Sequence, residues 1–136
     1  MAQRLTPDQE RFYYELRTTT KKQGTQMLVN ISGGEIRYCC LGIWAEMCGK
    51  KPNEIRGHLD LRRLIEVRNK LGLRDGRGTT GLARIGNYYG PLLSLAHMND
   101  YQPLMGELPF TFRRIAHWFA LFPGFFFVRD TTANNS

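Results

Sequence analysis

The sequence predicts an α+β fold: one compact domain in which a β-hairpin packs against four or five helices, with Phe125–Val128 as a candidate further strand. Three observations predict it. The chain has 136 residues, 42% of them hydrophobic, with both signs of charge interspersed, enough for one modest core. Two short alternating stretches flank Ser32-Gly33-Gly34, the pattern of a hairpin. Several other stretches carry apolar residues at helical spacing behind good capping residues. The domain is expected over 1–130, with 131–136 as a frayed tail.

In chain order, Thr6-Pro7-Asp8-Gln9-Glu10 is a strong helix start. Thr6 caps, Pro7 suits the first helical position, and the acids favour the positive end of the helix dipole. This helix is expected to reach about Arg17, with Phe12, Tyr13 and Leu16 on its apolar face. Lys21-Lys22-Gln23-Gly24 reads as a polar, basic connector. Gln26 to Ile31 alternates as a strand, and Glu35-Ile36-Arg37-Tyr38 returns beside it. A lone hairpin is marginal and must lie on other elements. Cys40 to Met47 reads as a helix stopped by Gly49, with Leu41, Trp44, Ala45 and Cys48 on one face. Glu54 to Leu71 reads as one long helix or two short ones, markedly basic. The segment 73–81 is a glycine-rich loop. Pro91 is expected to open a helix that closes at Asn99-Asp100. After a second loop over 101–109, Thr111 caps a last helix with Phe112, Ile115, Ala116 and Phe119 on one face.

No stretch is long and apolar enough to span a bilayer. Met1-Ala2-Gln3-Arg4 leads into polar sequence, so no secretory signal is expected. Three cysteines, two of them adjacent, argue against a disulfide framework and for a reducing cytoplasm. The net charge is +7, carried by fourteen Arg and five Lys. Guanidinium suits bidentate contact with phosphate or carboxylate. A basic chain attracts nucleic acid, nucleotides or an acidic protein surface, or is merely kept soluble.

Four segments stand in order: Lys21-Lys22-Gln23-Gly24, Tyr38-Cys39-Cys40-Leu41-Gly42-Ile43, Leu95-Ala96-His97-Met98-Asn99-Asp100 and Thr111-Phe112-Arg113-Arg114-Ile115-Ala116. Together they resemble a widespread group of small, uncharacterised tailed-phage and prophage proteins. Members show Lys-Gln-Gly, aromatic-Cys-Cys-Leu-Gly-Val, Leu-x-x-x-Asn-Asp and Ser/Thr-Phe-x-x-Ile-Ala segments. This chain departs from the pattern at Lys21, where an aromatic is usual, and in its Phe-rich C-terminus. The resemblance implies a phage origin inside a bacterial host cell. By analogy with accessory genes of this size, it implies action on host machinery or immunity.

Each chemical candidate has a structural counterpart. Cys39 or Cys40 at a helix N-terminus is expected to have a lowered pKa. With His97 or His117 as base and Asn99 or Asp100 as orienter, it writes out a cysteine enzyme. The favoured reading is that both thiols fill the core, so no catalytic residue is assigned. Adjacent cysteines with no further Cys or His pair make a poor zinc site, and no metal or cofactor is expected. Asn99-Asp100 reads first as a helix cap, with Asn99 in the left-handed conformation, and second as a polar clamp. Arg74 and Arg77 in the glycine-rich loop form a candidate anion site.

The leading expectation is a non-enzymatic protein that counters host defence. It would bind an anionic target, either a nucleotide-derived signal or a host defence protein, through Lys22, Gln23, Arg37, Arg74, Arg77, Asn99 and Asp100. The alternative is a nucleic-acid binder using Arg56, Arg62, Arg63 and Arg68, with Tyr88 and Tyr89 for base stacking. A homo-oligomer is compatible with either, and no membrane partner is expected.

Overall fold

Thr6 caps α1 (Pro7–Thr18): its hydroxyl accepts from the Gln9 amide, and the Gln9 side chain reaches back to the Thr6 amide, a reciprocal capping box. This is the first element of a computed structural model that describes residues 4–59, 61–73, 82–85, 88–91, 95–100, 105 and 110–127. The architecture is α+β, as expected. The elements after α1 are β1 (Lys22–Gln23), β2 (Val29–Ser32), β3 (Glu35–Tyr38), α2 (Cys40–Met47), α3 (Pro52–Ile55) and α4 (Ile65–Leu71). They are followed by β4 (Leu82–Ile85), β5 (Tyr88–Pro91), α5 (Leu95–Asp100), α6 (Phe112–Leu121) and α7 (Pro123–Phe126).

The hairpin β2–β3 turns through Gly33 and Gly34 with left-handed φ values of 58° and 80°, a conformation glycine adopts without penalty. Three differences from expectation are informative, and one open alternative is decided. The basic connector is a strand: β1 runs parallel to β3, with Lys22 opposite Arg37 and Gln23 opposite Tyr38, so the sheet order is β1-β3-β2. The strand expected from Gln26 starts only at Val29, because Gln26 sits at φ 74° with its N–H held by Asp100 Oδ1. Of the two alternatives for Glu54 to Leu71, two short helices are found, α3 and α4, with Gly57 at φ 87° between them. Pro91 pairs with Leu82 in the β4–β5 hairpin instead of opening a helix; a proline is accommodated at a strand end.

The described part of the expected strand, Phe125–Phe127, does not form one. Pro123 at the first helical position starts a single helical turn, α7, and only Phe127 makes one antiparallel bridge, to Leu73. Val128, and residues 74–81, 101–104 and 106–109 of the two expected loops, lie outside the described residues, as does the tail.

The core is continuous. Phe12 stacks on Phe119 at 5.4 Å between ring centres and meets Trp44 at 5.8 Å. Trp44 donates its indole N–H to Val67 O, and Gln9 donates to Leu71 O, both at 2.8 Å. These bonds satisfy buried polar atoms while tying α1 and α2 to α4. Helix α2 is buried along its length from Cys40 to Ala45, not only on the Leu41–Trp44–Ala45 face. A helix apolar all round belongs in the interior.

Candidate functional site

Asn99 brings three distant segments to one point. It lies inside α5, without the left-handed backbone expected of it, and is 4% exposed. Its Oδ1 accepts from Gln23 Nε2 (2.9 Å) and from the Cys40 backbone N–H (3.1 Å). Its Nδ2 donates to Gly24 O (2.6 Å) and to Asp100 Oδ1 (3.2 Å). Gln23 Nε2 also donates to Phe110 O at 2.9 Å. Every hydrogen-bonding position of the Asn99 amide is used. The arrangement is a clasp between β1, the start of α2 and α5, and it spends the polar atoms a ligand would need.

Five of the expected ligand residues therefore do come together: Lys22, Gln23, Arg37, Asn99 and Asp100. Gln23, Asn99 and Asp100 hold the clasp. Lys22 and Arg37 stay at the surface on adjacent strands and share Glu35, Arg37 at 3.1 Å and Lys22 in a close ion pair. Lys22 first, and then Arg37, hold the Glu35 carboxyl below its usual value. Arg74 and Arg77 lie outside the described residues.

The cysteines sit beneath this clasp. Cys39 caps α2, its sulfur accepting from the Gly42 N–H at 3.4 Å, and Cys40 donates its thiol to Leu95 O at 3.4 Å. The lowered pKa expected at a helix N-terminus is overturned for Cys40. Burial, followed by the neighbouring Cys39 and Asp100, pushes its thiol well above the ordinary value. Desolvation of the thiolate outweighs the helix dipole here. Asn99 meets the Cys40 backbone N–H. Among the described residues no three His, Cys, Asp or Glu side chains are placed to hold a metal ion.

A second group of basic side chains faces solvent at the turn between α3 and α4. Ile55 and Leu61 are buried anchors, and between them the chain turns at Gly57. Leu28 N–H donates to His58 O at 2.8 Å, fixing this turn to the start of β2. The side chains on the outside of the turn, Arg56, His58, Leu59, Arg62 and Arg63, line a cleft of about 590 Å³ with Gly57. Arg68 sits half-buried on α4, away from that lining. The side chains of Tyr88, Tyr89 and His97 lie outside the described residues. His58 was not singled out in the sequence, and Leu59, expected there as an apolar helix contact, is 57% exposed; Pro52 and Gly57 bracketing a short apolar pattern were the available signal for an exposed turn.

Comparison with protein-family models, with curated proteins and with solved structures finds no match to this chain. No helix of the described residues is long and apolar enough to cross a membrane.

Proposed function

We propose that this chain is a non-enzymatic, phage-type accessory protein that counters host defence by binding an anionic target. One observation carries the reading: three arginines and a histidine converge on the Arg56–Arg63 cleft. Its volume of about 590 Å³ falls in the range typical of small-molecule sites, which favours a nucleotide-derived signal over a host protein. Guanidinium groups supply paired N–H donors matched to phosphate oxygens. The phage origin is supported by the resemblance of the four segments. The absence of an enzymatic role is supported by Cys40, whose buried, protonated thiol is bonded to Leu95 O. Relative to the sequence-based expectation, Arg56, His58, Arg62 and Arg63 replace Lys22, Gln23, Arg37, Asn99 and Asp100 as ligand residues, while the expected Arg74 and Arg77 lie outside the described residues.

Isothermal titration with nucleoside di- and triphosphates, short oligonucleotides and duplex DNA tests this. A small nucleotide should bind, and Arg62→Glu with Arg63→Glu should weaken it by at least about tenfold, roughly 1.4 kcal/mol. No binding, or binding untouched by the double reversal, would sink the proposal. The second reading, a nucleic-acid binder, is favoured by the same arginines. It requires duplex affinity that falls steeply with salt, the log–log slope dropping when Arg62 and Arg63 are reversed.

A further inference from the structure

Helices α1 and α6 pack along one seam, and at its rim each contributes two residues four apart: Tyr13 and Arg17 from α1, Arg113 and His117 from α6. Such a spacing puts both members of a pair on one helix face. The buried faces lie one position away, at Phe12 and Leu16 on α1 and at Phe112 and Ala116 on α6. The four side chains line a second cleft, of about 330 Å³.

Two of them are held in place. Arg17 Nη1 donates to the Tyr13 hydroxyl at 2.8 Å, with its guanidinium 5.5 Å from the ring centre. Arg113 Nε donates to Arg17 O at 3.3 Å. Neither guanidinium has an ion-pair partner among the described residues. The Tyr13 oxygen already accepts from Arg17, so its own hydrogen is available to donate outward. The lining is thus rich in donors: guanidinium edges, a phenol O–H and an imidazole N–H. Acceptor oxygens in number are what such a lining recognises, and a phosphate supplies them.

An aromatic surface continues from this cleft. The His117 ring meets Trp118 at 6.3 Å, and Trp118 stacks on Phe122 at 5.7 Å with 19° between planes. Phe122 is 42% exposed, so part of its ring is open beyond that stack. Phe122 is joined to the cleft through the His117–Trp118 contact, and an exposed aromatic near a cationic groove is a face on which nucleobases stack.

We propose that the α1–α6 cleft is a second anion site that takes a nucleoside monophosphate, its phosphate against Arg17 and Arg113 and its base on Phe122. The site is separate from the Arg56–Arg63 cleft and stands or falls without it. Titrations with adenosine 5′-monophosphate, ribose 5-phosphate, inorganic phosphate and adenosine test it, each variant's fold being checked by its melting transition. The monophosphate should bind most tightly and adenosine least. Arg113→Glu should weaken all three phosphate ligands by at least about tenfold. Phe122→Ala should weaken the monophosphate and leave ribose 5-phosphate unchanged. The Arg62→Glu, Arg63→Glu protein should retain these affinities. The proposal is overturned if the wild-type protein does not bind the monophosphate at millimolar concentration, or if Arg113→Glu binds it as the wild type does. It is overturned equally if inorganic phosphate binds as tightly as the monophosphate, or if the Arg62 and Arg63 reversal alone removes binding.

Discussion

Asn99 illustrates how a residue flagged for its local character can do its work at long range. Asn-Asp at a predicted helix end suggests a cap, and the local pattern supports nothing more. Its partners are Cys40, Gly24 and Gln23, 59, 75 and 76 residues away, and no periodicity reports a bond across such a separation. Replacing it with Ala removes acceptor and donor together and strands the Gly24 carbonyl, the Cys40 N–H and one Gln23 N–H in the interior. Unmet buried groups cost about 1–3 kcal/mol each, with partial relaxation expected. Asn99→Ala should therefore lower unfolding free energy by about 3 kcal/mol, read as a reduced urea midpoint at unchanged slope. A loss under about 1 kcal/mol would mean that the clasp is not a buried anchor.

At the scale of elements, α2 is positioned by a missing side chain. A Cβ on Gly42 would stand 1.9 Å from Leu28 O, and that carbonyl accepts the Cys39 N–H at 3.0 Å. The obstacle is backbone already committed to a hydrogen bond, so it cannot swing aside as a flexible side chain would. Gly24 is a milder case, where an added Cβ would meet Arg37 Cβ at 2.8 Å. Gly42→Ala should cost more than about 3 kcal/mol, at the upper end of overpacking penalties, and Gly24→Ala less. Thermal melts of the two proteins check the order; a Gly42→Ala melting point within about 2 °C of wild type would refute the close approach. The sequence showed Gly42 only as part of a recognisable segment. The need for it arises from the tertiary approach of α2 to the chain entering β2.

For the molecule as a whole, what the sequence disclosed was whatever is encoded locally. Thr6 and Thr111 mark their helices through caps, Gly33-Gly34 marks the hairpin, and Leu41–Trp44 marks a buried helix. Two-residue β1 carries no pattern of its own and is a strand only because β3 lies beside it. Phe126 and Phe127 are as buried as a core strand and Phe125 partly so, but Pro123 sets a helical turn that composition alone does not reveal. The Arg56–Arg63 cleft was legible as charge but not as a cavity, which exists because Ile55 and Leu61 pin the turn from both sides. The same long-range logic gives the molecule an alkaline limit. Tyr38, buried at the end of β3, donates its hydroxyl to Glu46 Oε2 at 2.5 Å. Lys21 pairs with the other Glu46 oxygen at 2.9 Å, its ammonium 5.7 Å from the Tyr38 ring centre. Burial, then the Glu46 carboxylate, push the phenol from its ordinary 10.0 up to about 12. The unfolded chain releases this proton near pH 10 and the folded protein keeps it to about pH 12. Between those values the unfolded state binds fewer protons, so stability falls as pH rises, and below pH 10 the contribution is complete. Urea midpoints measured from pH 8 to pH 11.5 should decline in the upper part of that range. Tyr38→Phe, less stable at pH 8 for want of the bond to Glu46, should decline less steeply. Equal slopes for the two proteins would remove Tyr38 as the cause.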